Sequence, residues 1–310
     1  MSKTALLFSG QGAQSVGMGK DLAAQFPSAK TWFEQANAAL GYDLAKICFE
    51  GPEPELTKTE HAQPAIYLVG WMAFQLLKER VPALRFEAAA GLSLGEFTAL
   101  AAGEALTFED GLRIVRQRGR FMQEACEATR GGMVAIIGLN EAATRQVCVE
   151  AEVELANLNC PGQIVISGEA DKLILACELA KGRGAKRAVP LPVAGAYHSK
   201  LMATAQSKLQ AVLPTVAIRV PAMPVISNVT AQPHGSAMEI QQKLVEQVVS
   251  PVRWEASMRY LLAKGFSRFI ELGPGTALSG FMRRIDKDVQ IINVADAVSL
   301  AETVKQLGES

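Results

Sequence analysis

The sequence predicts a parallel-sheet α/β domain that carries a small inserted α+β domain. Three observations predict it. Short apolar runs alternate with amphipathic segments towards both ends of the chain, the pattern of strands buried between helices. A central stretch, 131–193, instead has the order β-α-β-β-α-β, the split-βαβ pattern of a ferredoxin-like unit. At 91–95 a serine stands between two glycines where a strand-like run becomes a helix-like one.

The elements follow in order. "TALLF" (4–8) is a short apolar run ending in the glycine-rich loop "SGQGAQ", so it reads as a buried strand. Helical periodicity follows at about 28–39 and about 63–79. "FEAAAG" (86–91) is a second buried strand, and the good helix formers of 93–103 come directly after it. Thr107, with Asp110 three residues on, resembles a capping box and opens a helix that runs to about 128. In the insert, "GGMVAIIGL" is strand-like. "NEAATRQVCVEAE" is helix-like with Asn140 as N-cap. "VELANLN" and "QIVISG" are strands joined by the turn signal "CPG". "EADKLILACELAKGRG" is a helix and "AKRAVPLPV" a last strand. Alternation then resumes, with strands at "MPVISN" (223–228), "RFIELG" (268–273) and "VQIINV" (289–294). The expected domains are a core of 1–129 and 197–310 and a small domain of 130–196.

Composition narrows the function classes. The 310 residues are 49% hydrophobic and 20% charged, enough for one large or two ordinary domains. Lysine plus arginine and aspartate plus glutamate balance at 31 each, so nothing asks for nucleic acid or an anionic membrane. The five cysteines are odd in number and include no C-x-x-C pair; they read as reduced thiols, with no disulfide framework and no zinc site. "MSKTALLFSG" is too short an apolar run for a signal peptide, and no stretch of about 18 apolar residues occurs. The expectation is a soluble cytoplasmic protein with no metal site.

G-x-S-x-G between a strand and a helix predicts a nucleophile elbow. The turn is sharp, side chains two residues either side would collide, and Gly91 and Gly95 occupy those places. The Ser93 hydroxyl then stands at a helix N-terminus, where N–H groups and the helix dipole favour developing negative charge. The competing reading is a glycine-flanked helix cap. A serine nucleophile needs a base, and there are three histidines. His61 sits at a helix start. His234, in "TAQPHGSA", reads as a surface loop residue. His198, in "VAGAYHSKLM", follows a strand and a small-residue loop, where α/β proteins present groups to a crevice. In the helix from Thr107, Arg118 falls in the middle of the stripe of Ile114, Phe121 and Ala125, while Arg113, Arg116 and Arg120 point elsewhere. A buried guanidinium needs a partner. Two readings stand: an internal salt bridge or snorkelling side chain, or a seat for a substrate carboxylate.

With these residues in view, the chain resembles the malonyl-CoA:acyl carrier protein transacylases over essentially its full length. The likeness rests on "LLFSGQGAQSVGMG", "GLSLGEFTALAAGEALTFEDGLRIVRQRGRFMQ", "NLNCPGQIVISG", "LPVAGAYHSKLM", "PVISNVT", "SPVRW" and "ELGPGTALSGFM" in order. It implies a hydrolase-like parallel-sheet core with the ferredoxin-like insert and an active site between them. It implies malonyl transfer from malonyl-CoA to the phosphopantetheine thiol of acyl carrier protein, in fatty-acid synthesis, by a monomer with no cofactor. Ser93 would carry the malonyl ester and His198 would be base and then acid. A main-chain carbonyl from the segment of Gln247 would orient the histidine. Backbone N–H groups of Gln11 and Leu94 would form the oxyanion hole. Arg118 would hold the malonyl carboxylate, with Asn159 and Gln63 as further cleft residues. Tyr197, bulky and next to the base, and Leu94 after the serine match the malonyl-selective pattern.

One position departs from the family pattern. Leu92 stands where a histidine commonly precedes the serine; that histidine is not the base, so the change bears on packing or acyl selectivity. Lys181, Arg183, Lys186 and Arg187 in "KGRGAKR", with Arg283 and Arg284, form a basic cluster suited to an acidic carrier protein. A serine esterase would share the elbow but would normally place an acidic residue between serine and a C-terminal histidine; about 110 residues follow His198 here. A patatin-like hydrolase would need an Asp-Gly-Gly or Asp-Gly-Ala element, which is missing. A non-catalytic carrier-binding module leaves the nucleophile and base without a use.

Overall fold

The computed structural model describes residues 3–308. Among the described residues nine strands form two sheets: β1 (Lys3–Phe8), β2 (Ala88–Gly91), β3 (Gly131–Ile137), β4 (Glu154–Cys160), β5 (Gln163–Glu169), β6 (Arg187–Pro190), β7 (Val225–Ile226), β8 (Phe266–Leu272) and β9 (Gln290–Val294). The large sheet has the order β7-β2-β1-β8-β9 and all its pairs are parallel. Its apolar runs are continuous because both faces are covered. One face, with Leu6 and Phe8, packs on the long helix Thr59–Arg80; the other, with Ala5 and Leu7, packs on Trp254 and Met258.

The small sheet is antiparallel, in the order β4-β5-β3-β6. With helices Glu141–Ala151 and Ala170–Gly182 it reproduces the expected split-βαβ unit. One face packs on those helices through Ile136, Leu155 and Ile166. The other face, with Met133, Ala135 and Val165, joins the main core. The edge of β4 is stitched to the core chain: Leu158 N–H donates to Val252 O at 2.9 Å and Val252 N–H donates to Ala156 O at 2.8 Å. Arg284 makes a second tie, donating to Pro161 O and Gln163 Oε1, both at 2.7 Å.

Two strands are shorter than their apolar runs suggest. β6 stops at Pro190 because Pro190 and Pro192 have no N–H to give the ladder. "MPVISN" pairs only through Val225 and Ile226, at the sheet edge; the chain then turns at Ser227, whose N–H donates to Gln232 O at 2.9 Å. That turn carries Asn228 towards the serine corner. Thr107 and Asn140 cap their helices as the sequence suggests, accepting from the N–H of Asp110 and Ala143. No helix among the described residues is long and apolar enough to cross a membrane.

Candidate active site

The serine corner is built by close backbone approach. β2 ends at Gly91 and helix Leu94–Ala102 begins two residues after it. Ser93 between them has φ 54° and ψ −104°, a conformation that costs a non-glycine residue free energy and persists only where its surroundings impose it. A Cβ on Gly91 would lie 1.9 Å from the Gly95 backbone, and one on Gly95 would lie 2.2 Å from Phe8 O. Both glycines are therefore required by contact.

His198 follows the last strand of the small sheet in the chain and has φ 58°. Its Nε2 lies 2.9 Å from Ser93 Oγ. Its Nδ1 lies 2.9 Å from Gln247 O and 3.1 Å from Ser250 O. Carbonyl oxygens only accept, so Nδ1 carries the hydrogen and Nε2 offers its lone pair to the serine. Among the described residues no carboxylate bonds the imidazole. Burial lowers the His198 pKa to about 4, the Arg118 charge adds to this, and the two carbonyl bonds oppose it. The imidazole is neutral at pH 7 and available as a base.

Arg118 is 1% exposed. Its Nη1 donates to Gln63 Oε1 at 2.8 Å, and its Nη2 to Ser93 Oγ at 3.0 Å and Gln247 Oε1 at 2.9 Å. The guanidinium also lies over the Phe97 ring, 5.5 Å from its centroid. All its bonded partners are neutral; the internal salt bridge offered by the sequence is not there among the described residues. Burial lowers its pKa to about 10, opposed by the charge of Glu96, so it stays cationic at neutral pH.

A cleft of about 220 Å³ opens on Ser93 and His198, lined also by Gln11, Asn159 and Tyr197. Gln11 Nε2 donates to the hydroxyls of Thr59 and Tyr197, both at 3.3 Å, and those hydroxyls meet at 2.5 Å. These bonds pin the loop that carries Gln11. Asn159 is 5% exposed and its Oδ1 has no bonded partner among the described residues. Leu92 lines the same cleft. Arg118, Gln63, Gln247 and Leu94 do not; they stand behind the serine, and the Leu94 side chain is fully buried in the core.

Other candidates lie elsewhere. His61 bonds Glu55 O at 3.1 Å and packs on Tyr42, away from the cleft. His234 is a correction. Its side chain has no exposed surface, and its Nε2 meets Glu96 Oε1 at 2.7 Å. The loop exposes Gln232, Gly235 and Ser236 to water, but the His234 side chain is tied inward by the carboxylate. Of the basic cluster, Arg183 is bonded to Glu150 and Arg284 to the β4–β5 turn, while Lys181, Lys186, Arg187 and Arg283 are exposed.

Sequence reasoning passed over Asn228, Glu96 and Ser250. Asn228 Oδ1 accepts from Ser93 N–H at 2.6 Å and its Nδ2 donates to Gly91 O at 2.7 Å. Glu96 carried a readable signal, a lone carboxylate in the otherwise apolar helix "LGEFTALAA". Ser250 acts through its main-chain oxygen, which leaves no mark on the sequence.

Residues 5–306 match the profile of a family described as the acyl transferase domain. A malonyl CoA-acyl carrier protein transacylase of Bacillus subtilis (strain 168) is 45% identical over 314 aligned residues, spanning 100% of this chain and 98% of that protein. The solved malonyl CoA-acyl carrier protein transacylase of Coxiella burnetii superposes with a TM-score of 0.95 at 36% identity, covering 99% of this chain and 98% of that one. A malonyl-transacylase solved in complex with a holo type II PKS acyl-carrier protein gives a TM-score of 0.95 at 36% identity, covering 98% of this chain and all of that one.

Proposed function

Since the chain belongs to the acyl transferase domain family, we propose that it transfers malonyl from malonyl-CoA to the phosphopantetheine thiol of acyl carrier protein, through a malonyl ester on Ser93. The reading takes 1–129 and 197–310 as the core and 130–196 as the small domain, acting as a single chain without a cofactor. It places the protein in fatty-acid synthesis. One observation carries it. The oxygen that meets the base, Ser93 Oγ, also accepts from a fully buried guanidinium. An acyl group placed on that oxygen arrives beside a positive charge bonded only to neutral groups, which suits an acyl chain ending in a carboxylate.

Ser93 Oγ attacks the thioester carbonyl as its hydrogen passes to His198 Nε2. The carbonyl oxygen becomes an oxyanion opposite the N–H groups of Gln11 and Leu94. The C–S bond breaks, and the coenzyme A sulfur takes the proton from His198. The carrier thiol then gives its proton to His198 and attacks the ester, and Oγ departs and is reprotonated. Gln247 O and Ser250 O stabilise the transient imidazolium through Nδ1–H.

The test is mass spectrometry after mixing with malonyl-CoA, then adding holo carrier protein. A malonyl adduct on the Ser93 peptide that is lost to the carrier is the expected result. Intersecting double-reciprocal lines with no adduct would overturn the reading.

A further inference from the structure

The atoms that face the serine hang from a buried carboxylate on the side away from the cleft. Glu96 lies in the first turn of the helix that Ser93 opens, and neither its side chain nor that of His234 has exposed surface. Glu96 Oε1 accepts from His234 Nε2 at 2.7 Å. Its Oε2 accepts from Asn228 N–H at 3.0 Å and Gln247 Nε2 at 2.8 Å. A carboxylate only accepts, so each of these partners must turn a hydrogen towards it.

That requirement sets a direction. The Gln247 amide must place its nitrogen on Glu96 and on Ser93 O, 2.9 Å away. Its oxygen is thereby turned to Arg118 Nη2. Arg118 in turn donates to Ser93 Oγ, and the serine hydrogen is left for His198. Asn228, held through its own N–H, clamps the two sides of the corner at Gly91 O and Ser93 N. The negative charge of Glu96 also acts on Arg118 through space and opposes the loss of its proton.

We propose that Glu96, fixed by His234, is a positioning residue. It sets the polarity of the chain Glu96–Gln247–Arg118–Ser93 and supplies the standing counter-charge of the guanidinium. An amide at 96 removes the negative charge and one full acceptor, so Gln247 Nε2 keeps only Ser93 O to hold its side of the amide. Gln247 Oε1 is then seated less firmly on Arg118, and the guanidinium loses its counter-charge and its fixed place. This inference rests on the malonyl reading for the choice of donor that suffers. A merely architectural pair, tying the 227–234 turn to the helix, would affect every acyl donor equally.

The experiment measures specificity constants of the full chain with malonyl-CoA and acetyl-CoA, beside melting curves. Glu96→Gln is expected to fold and to lower the malonyl-to-acetyl ratio by about 10- to 100-fold, the worth of one hydrogen bond to a charged group. His234→Ala is expected to lower the ratio about threefold, and His234→Gln, which restores an N–H donor near Nε2, to recover part of it. An unchanged ratio in Glu96→Gln, equal losses for both donors, or a Glu96→Gln chain that does not fold overturns the proposal. A wild-type enzyme without preference for malonyl-CoA overturns the functional reading itself, which is a distinct result.

Discussion

Arg118 Nη2 lies 3.0 Å from Ser93 Oγ, on the same oxygen that His198 Nε2 meets at 2.9 Å. The hydroxyl gives its hydrogen to the histidine and accepts from the guanidinium. The cation therefore polarises the nucleophile, disfavours a second positive charge on His198, and marks where an acyl group on Ser93 will come to rest. Each role leads to a different measurement.

Replacing Arg118 tests selectivity. Arg118→Ala is expected to cost roughly 2–5 kcal/mol of malonyl affinity, because the substrate carboxylate is left unpaired in a desolvated site. Acetyl transfer should be spared or improve. Arg118→Lys keeps the charge without the two-pronged geometry and should fall between. The ratio of malonyl to acetyl specificity constants, with a melting curve, decides the matter. An unchanged ratio with a lowered Tm would mean that Arg118 serves the fold alone.

The pH dependence follows from His198. Its pKa is lowered from the ordinary 6.5 to about 4. The acid limb of kcat/KM should thus fall near pH 4, leaving the rate flat between about pH 5.5 and 7.5. Arg118→Ala removes a charge that lowers this pKa, so the limb should move to higher pH. Stability follows the same sign. The unfolded histidine takes up a proton below 6.5 and the folded one does not until about 4, so this group costs nothing above 6.5 and destabilises progressively as pH falls. The full cost is about 3 kcal/mol below pH 4. A limb at the ordinary histidine value in the wild type would refute the assignment.

Removing the nucleophile or the base separates chemistry from binding. Ser93→Ala should abolish the malonyl adduct, and His198→Ala should slow its formation by roughly 10³-fold or more. Both variants should still bind malonyl-CoA, which calorimetry would show. An adduct that persists in Ser93→Ala would place the nucleophile elsewhere.

The corner itself has no room for a methyl group. Gly91→Ala would put Cβ 1.9 Å from the Gly95 backbone, where no side chain can give way. A loss of about 3 kcal/mol or more in unfolding free energy is expected. Gly182→Ala, where an added Cβ meets nothing within 4 Å, is the matched control. Equal stability of the two variants would show that the elbow is looser than its contacts require.

Local pattern was enough for the fold class and for the frame of each segment. Apolar runs, helix caps and the strand–serine–helix junction are short-range signals, because they depend on periodicity and on neighbours a few residues apart. They also made Ser93, His198 and Arg118 nameable as candidates. That these three meet was decided by packing alone. Ser93 and His198 stand 105 residues apart, and Ser93 and Arg118 stand 25 apart. The orienting groups on His198 are main-chain oxygens, which any residue carries, so no side chain announces them. His234 shows the reverse failure. A polar loop composition suggested water as its surroundings, but a buried carboxylate 138 residues away, in the serine helix, draws it inward. Local pattern fixes what each segment becomes; only the tertiary arrangement fixes which charges and donors are forced to satisfy one another out of reach of water.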